Sequence, residues 1–454
     1  VIFILVNTVI LILIALAIWK PATCLGSAIG VFSFEQWAQV QDPYFAQHSS
    51  YLNIAQGFIV LVGVMAVTAR TWNPLKPFPM IGVYIVGLFA LALISCLWSV
   101  DPSLSFFLYK DAFPYIVAFI FLLPLTITCT DDVRTAIVSS LLMGTVVLVM
   151  ILLGTKLHRW GRSIEVEGGL VTRSGEIRNR ATPLAPATLA GHVIVMVCLT
   201  NFRKFDRIWY FLLWGVLPLG FYICLRSGTR GQYFAAIIVI VSLFGPGRGI
   251  KRIGGLMFGM LMALGVIAFA WYFLAEFGSS GRWGLSNMIQ NYSETRLGAS
   301  KILLKHWLDS SPIRLLFGLG SSASYSPSIL GSFPHILPVE ILCQLGIIGF
   351  TLFWIIIGMT VVSAVRTFRM VMERPAERGL LICLTGLFAF EFLRSLKEWP
   401  MVYHVYLFGF CMMIGRFELL VRRELLRERQ RELAWQAARQ TPVTAEGELI
   451  AATG

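Results

Sequence analysis

The sequence is short of charge. Only 13% of its 454 residues are Asp, Glu, Lys or Arg, against 57% hydrophobic, and its mean hydropathy is +0.75. A water-soluble domain needs far more charge to cover its surface, so the chain reads as a polytopic membrane protein. Acidic residues are the scarcer sign, 24 against 37 basic. No DxD-type carboxylate pair stands on the side assigned below as outer, which argues against a divalent metal there; Asp131 and Asp132 fall on the other side. The outer carboxylates Asp101, Glu165, Glu167, Glu276 and Asp309 are scattered, which disfavours glycoside hydrolysis by a carboxylate pair. A P-loop, a His/Cys metal spacing and a G-x-S-x-G elbow are all missing, so nothing points to ATP chemistry or a serine hydrolase. Cysteine is present without a framework. Cys96, Cys198, Cys224, Cys343, Cys383 and Cys411 lie in or at the ends of apolar runs and read as buried single thiols.

What is present is a series of apolar runs, at 1–19, 52–69, 79–98, 112–128, 135–154, 183–200, 208–225, 231–245, 253–275, 336–364, 379–394 and 401–415. A spanning helix needs roughly 20 apolar residues, so these predict an all-α fold with about twelve transmembrane helices. The first run is expected to be a retained span rather than a signal peptide. The expected divisions are transmembrane helices one to nine in 1–275, a large loop with helices in 276–335, three further spans in 336–415, and a basic tail in 416–454.

The net charge of +13 does not point to nucleic acid, because many of its cations sit in short gaps between spans. The connections 70–77, 129–134, 201–207, 245–252 and 366–378 are short and basic, as is the tail, and are assigned to the cytoplasm. With an even number of spans, both termini are then cytoplasmic. The tail alternates Glu and Arg at helical spacing, as a solvated amphipathic helix does; anionic lipid is a second reading. The opposite connections, 20–51, 99–111, 155–182, 226–230, 276–335 and 395–400, are richer in aromatic residues and glycine. Topology does not explain the cations that cluster on that side, which implies something anionic there.

Arg226 and Arg230, in CLRSGTRGQYFAA, would share a face if helical, and guanidinium groups fork onto phosphate oxygens. Interfacial arginines also snorkel to lipid headgroups, the ordinary alternative. Arg296 follows a helix start at Ser293, with Glu294 and Thr295 in the first turn. His335, between Pro334 and an apolar run, is placed to take a proton near neutral pH. His48, His158, His192, His306 and His404 lack comparable surroundings and read as structural. Outer arginines with one histidine suit a diphosphate-linked lipid whose leaving group needs positive charge, and an acceptor hydroxyl that needs a base.

Several passages resemble the O-antigen ligase and O-antigen polymerase family of bacterial membrane glycosyltransferases. They are LWSVDPSLSFF (97–107), RNRATPLAPATLAGHV (178–193), SGTRGQYFAA (227–236), TRLGASKILLKHWLDSSPIRLLFGLGSS and HILPVEILCQLGIIGF. The resemblance implies a twelve-span fold related to the C-type glycosyltransferases (GT-C), multi-pass in a bacterial inner membrane, with a large periplasmic loop and its active site on that side. It implies transfer of a glycan from undecaprenyl diphosphate to lipid A–core in lipopolysaccharide biosynthesis, inverting, metal-independent and without a cofactor. Its partners would be the undecaprenyl-diphosphate-linked glycan, the lipid A–core acceptor and membrane lipids, with no nucleic acid. Arg230 and Arg296 match diphosphate-binding arginines, and His335 matches the loop histidine proposed as base. Arg180 matches with a departure, since Ala181-Thr182-Pro183-Leu184 replaces the Asn-Pro-Asn that often follows; Arg226 rests on spacing. Two other functions stay open, a polymerase extending the carrier-linked repeats and a non-enzymatic polyprenyl-lipid transporter. A transporter is expected to show internal repeats and charges at mid-membrane, which the sequence does not display.

Overall fold

The computed structural model describes residues 1–71, 73, 78–154, 164–171, 177–181, 184–200, 207–227, 229–248 and 297–440. It is a helical bundle. Every predicted apolar run overlaps a helix except 253–275, which lies outside the described residues. Among the described residues, six helices are long and apolar enough to cross a membrane: α1 (Ile2–Trp19), α4 (Tyr51–Thr71), the Met80–Trp98 stretch beginning with α5 (Met80–Ser95), α6 (Pro102–Leu125), α7 (Thr130–Gly154) and α13 (Leu337–Met370). Shorter apolar helices accompany them, so the chain is a multi-pass helical membrane protein.

Two features depart from the sequence reading. The connection 20–51 was expected to lie outside the bundle, yet it holds a mostly buried helix, α2 (Cys24–Gln41), followed by the short α3 (Pro43–Gln47). Arg70 at the end of α4 donates to the Ile18 and Trp19 carbonyls at 2.6 and 3.2 Å. At the other end of the same pair, Tyr51 donates to Asn7 at 2.5 Å and Phe3 packs on Tyr44. So α1 and α4 run parallel, and α2 runs back between them. The α2 helix escaped the hydropathy criterion because it faces protein rather than lipid and carries Glu35, Gln36, Gln39 and Gln41 near its end. This pass puts residue 1 at the end of the bundle away from Glu424 of the long terminal helix α15 (Val405–Gln440), whereas an even count of passes puts the two together. Arg416 donates to Ile127 O at 2.7 Å and Thr130 to Glu424 at 2.9 Å, which fixes the direction of α15.

The second is a small ribbon in one connection of a fold that is otherwise helical, as the all-α expectation has it. Residues 155–182 include an antiparallel ribbon, β1 (Ile164–Val171) with β2 (Ile177–Ala181), in which Glu165 pairs with Arg180 and an irregularity follows. The ribbon packs over α2 and α3. Next come α8 (Leu184–Leu199), α9 (Arg207–Arg226) and α10 (Arg230–Arg248), in antiparallel succession. The described part of the large loop holds α11 (Gly298–Leu308) and α12 (Pro312–Phe317). Leu303 and Trp307 of α11 form a small core of their own with Leu319, Ala323 and Cys343. That core ties the loop to the start of α13. The α13 helix breaks at Gly346 (φ 68°), and the freed carbonyls of Cys343 and Gln344 accept from the N–H groups of Leu319 and Gly320, each at 2.9 Å. Pairing restores what the break removes, as a chain crossing lipid requires.

Candidate functional site

A cavity of about 460 Å³ opens among α2, α4, α6, α8, the large loop and the junction between α14 (Pro375–Ser395) and α15. One wall comes from the polar end of α2. There Glu35 Oε1 accepts from Gln39 Nε2 and from Asn53 Nδ2 of α4, both at 3.1 Å, with Gln36 beside them. Tyr325, Trp399 and Tyr403 line the cavity as well. The Tyr403 hydroxyl donates to Asp111 at 2.6 Å. Burial raises the phenol of Tyr325 above its ordinary range, so it stands as a neutral donor.

Against the cavity lies a buried ionic cluster. Arg394, which reaches the cavity, donates through Nε and Nη2 to Glu391 Oε2 at 3.0 and 2.5 Å. Its Nη1 stands 3.4 Å from Thr188 Oγ1 and 3.9 Å from Glu398. The second oxygen of Glu391 meets His192 Nε2 at 2.7 Å. Gln232 Nε2 donates to both oxygens of Glu398, at 2.7 and 2.8 Å, and Lys397 Nζ stands 3.8 Å from the same carboxylate. Burial pushes the Glu398 carboxyl above the usual range, against the pull of Arg394 and Lys397. A carboxylate taken out of water is tolerable only when paired in this way.

This cluster anchors the arginine-rich turn. Ser227 and Thr229 hydroxyls meet at 2.5 Å, closing the connection between α9 and α10. Arg226 is exposed in the last turn of α9, and half-buried Arg230 opens α10. A side chain at Gly231 would fall 2.4 Å from Lys397 Nζ, so the Lys397 ammonium lies against the backbone next to Arg230. The N-terminus of α10, which favours anions, thus lies beside two cations, Arg230 and Lys397.

His335 stands one ring removed from the cavity. Its imidazole is 4.1 Å from the Phe333 ring, which stacks at 6.4 Å on Tyr325. The backbone of His335 is left-handed (φ 65°), as is that of Trp399 (φ 58°). Non-glycine residues held so cost about 1–3 kcal/mol each, and such strain concentrates at functional positions. Arg180 lies on β2 opposite Glu165, at the end of the bundle that α3 covers. Arg296 falls outside the described residues. The fold thus brings Arg226 and Arg230 to the end that carries the cavity and His335. Among the described residues, no three His, Cys, Asp or Glu side chains converge to hold a metal ion.

The sequence reading missed Glu35, Glu391, Arg394, Lys397 and Glu398, and set His192 aside. A signal existed in FEFLRSLKEWP, where four charges crowd the end of an apolar run at helical spacing. Neither a protein-family model nor a curated protein matches this chain.

Proposed function

We propose that this protein is a membrane glycosyltransferase of the O-antigen ligase type, transferring a glycan from undecaprenyl diphosphate to a sugar hydroxyl of lipid A–core. The observation that carries the reading is the Ser227-to-Gly231 turn seated against Lys397 and Glu398 at the cavity end of the bundle. It sets Arg230, a helix N-terminus and a lysine ammonium side by side, a setting for a diphosphate. The order of the motifs along the chain supports the same reading. The bilayer would be a bacterial inner membrane, with the cavity end facing the periplasm.

In the proposed step, the acceptor hydroxyl attacks the anomeric carbon as the bond from that carbon to the diphosphate oxygen breaks. His335 takes the hydroxyl proton, and the arginines neutralise the departing diphosphate. Removing one such contact raises the barrier by about 2.7–4 kcal/mol, or roughly a hundred- to a thousandfold in rate.

The test is transfer by purified protein in detergent with EDTA, given undecaprenyl-diphosphate glycan and lipid A–core. The expected product is glycan on lipid A–core, abolished by Arg230→Ala and by His335→Ala in protein that still inserts. Normal transfer by either variant removes that residue from the mechanism. Glycan lengthened on its carrier would make the protein a polymerase instead. No product with either acceptor would refute the glycosyltransferase reading and turn attention to lipid transport.

A further inference from the structure

We propose that the cavity is a carbohydrate subsite, taking a pyranose ring by stacking on Trp399 and by hydrogen bonds from its hydroxyls to the Glu35–Gln36–Gln39–Asn53 wall. A sugar ring has an apolar C–H face and a hydroxylated rim, and the cavity offers both partners. Trp399 supplies the flat surface. The residue is 42% exposed and lines the cavity. It is also held rigidly, because its left-handed backbone carbonyl lies 3.0 Å from His404 Nε2 and the neighbouring Glu398 is clamped by Gln232. A pre-positioned aromatic ring in a cavity wall loses little freedom when a ligand settles on it.

The α2 wall supplies the polar rim. Glu35, Gln36 and Gln39 lie on the cavity side of α2, and Asn53 joins them from α4. Carboxamides present a donor and an acceptor together, and a carboxylate accepts from adjacent hydroxyls. Charge separates this ligand from a phosphate. The two charged side chains in the cavity wall are Glu35 and Arg394, and Arg394 is committed to Glu391 by two hydrogen bonds. No net positive charge is left for an anion, so the cavity selects a neutral, hydroxylated group while the diphosphate belongs with the Arg226–Arg230 turn. The volume of about 460 Å³ lies in the usual range of small-ligand cavities. The proposal rests on the glycosyltransferase reading for the source of the sugar; the binding chemistry stands on the cavity alone.

Saturation-transfer NMR on the full chain in nanodiscs tests it, with methyl glucoside, methyl galactoside and N-acetylglucosamine as probes. Transfer to the ring protons of at least one is expected, with binding about ten-fold weaker in Trp399→Ala and largely kept in Trp399→Phe. Gln36→Ala with Gln39→Ala is expected to weaken it similarly in protein that still folds. Displacement of the bound glycoside by the carrier-linked glycan assigns the cavity to the donor, and displacement by lipid A–core assigns it to the acceptor. Silence from all three probes overturns the proposal. So does undiminished transfer in folded Trp399→Ala, or displacement by dodecyl phosphate, which would mark a site for lipid phosphate. Sugar binding that persists when the transferase assay fails would sink the enzyme reading and keep the subsite; transfer activity without sugar binding would do the reverse.

Discussion

The Glu391–Arg394 pair offers the sharpest test of how the cavity floor is held. Glu391 is fully buried, accepts twice from Arg394 at 3.0 and 2.5 Å, and meets His192 at 2.7 Å. Replacing it by Gln leaves the Arg394 guanidinium with Glu398 at 3.9 Å as its remaining carboxylate. Stranding one member of a buried pair costs about 3–5 kcal/mol, so Glu391→Gln and Arg394→Gln are each expected to fall in that range. The double variant strands no charge, because Glu398 keeps Gln232 and Lys397. It is expected to cost less than the sum of the singles, with a coupling energy of about 2–3 kcal/mol. Unfolding by SDS titration in mixed micelles measures all three. Single and double variants that add within about 0.5 kcal/mol would refute the view that these two charges depend on one another.

Other outcomes follow from separate contacts. Alanine at Gly318 or Gly346 would put a Cβ 2.1 Å from the Gln344 or Leu316 carbonyl oxygen, in a left-handed backbone, and each change is expected to cost about 2 kcal/mol or more; wild-type stability in either would contradict the break in α13. Tyr403→Phe removes the 2.6 Å hydrogen bond to Asp111 and is expected to cost about 1.5–3 kcal/mol in the same titration, or nothing if that bond is not made. Asp101 caps α6 by accepting from the Leu104 N–H at 3.0 Å and from the Ser103 hydroxyl at 2.8 Å, and these bonds hold its carboxyl below the usual range. A lowered pKa in the folded state means a contribution present above the ordinary carboxylate pKa and lost as pH falls through the folded value. The melting-temperature gap between wild type and Asp101→Ala is therefore expected at pH 7 and should close in acid; a gap that does not narrow would show that the cap is not ionic.

Where an interaction is local, the residues were readable. The apolar runs 52–69 and 135–154 became α4 and α7 because spanning lipid is a condition on one segment at a time. The Asp101–Pro102 start of α6 is also local, a cap followed by a proline in the first turn. The arginine turn at 226–230 and the position of His335 ahead of an apolar run could be picked out for the same reason, although nothing local said what stood opposite them.

Sequence by itself determined that this chain is a helical membrane protein, where most of its helices lie, and that arginines crowd one set of connections. Tertiary structure decided the rest. It carried α2 back through the bundle, hidden from hydropathy because a helix shielded by protein need not be apolar throughout. It laid a β-ribbon over α2 and α3, where pairing depends on register across a turn. It also joined His192 to Glu391, 199 positions apart, and Gln232 to Glu398, 166 apart. Charges that are costly one at a time become tolerable only where the fold brings their partners to them, and no stretch of sequence shows that meeting in advance.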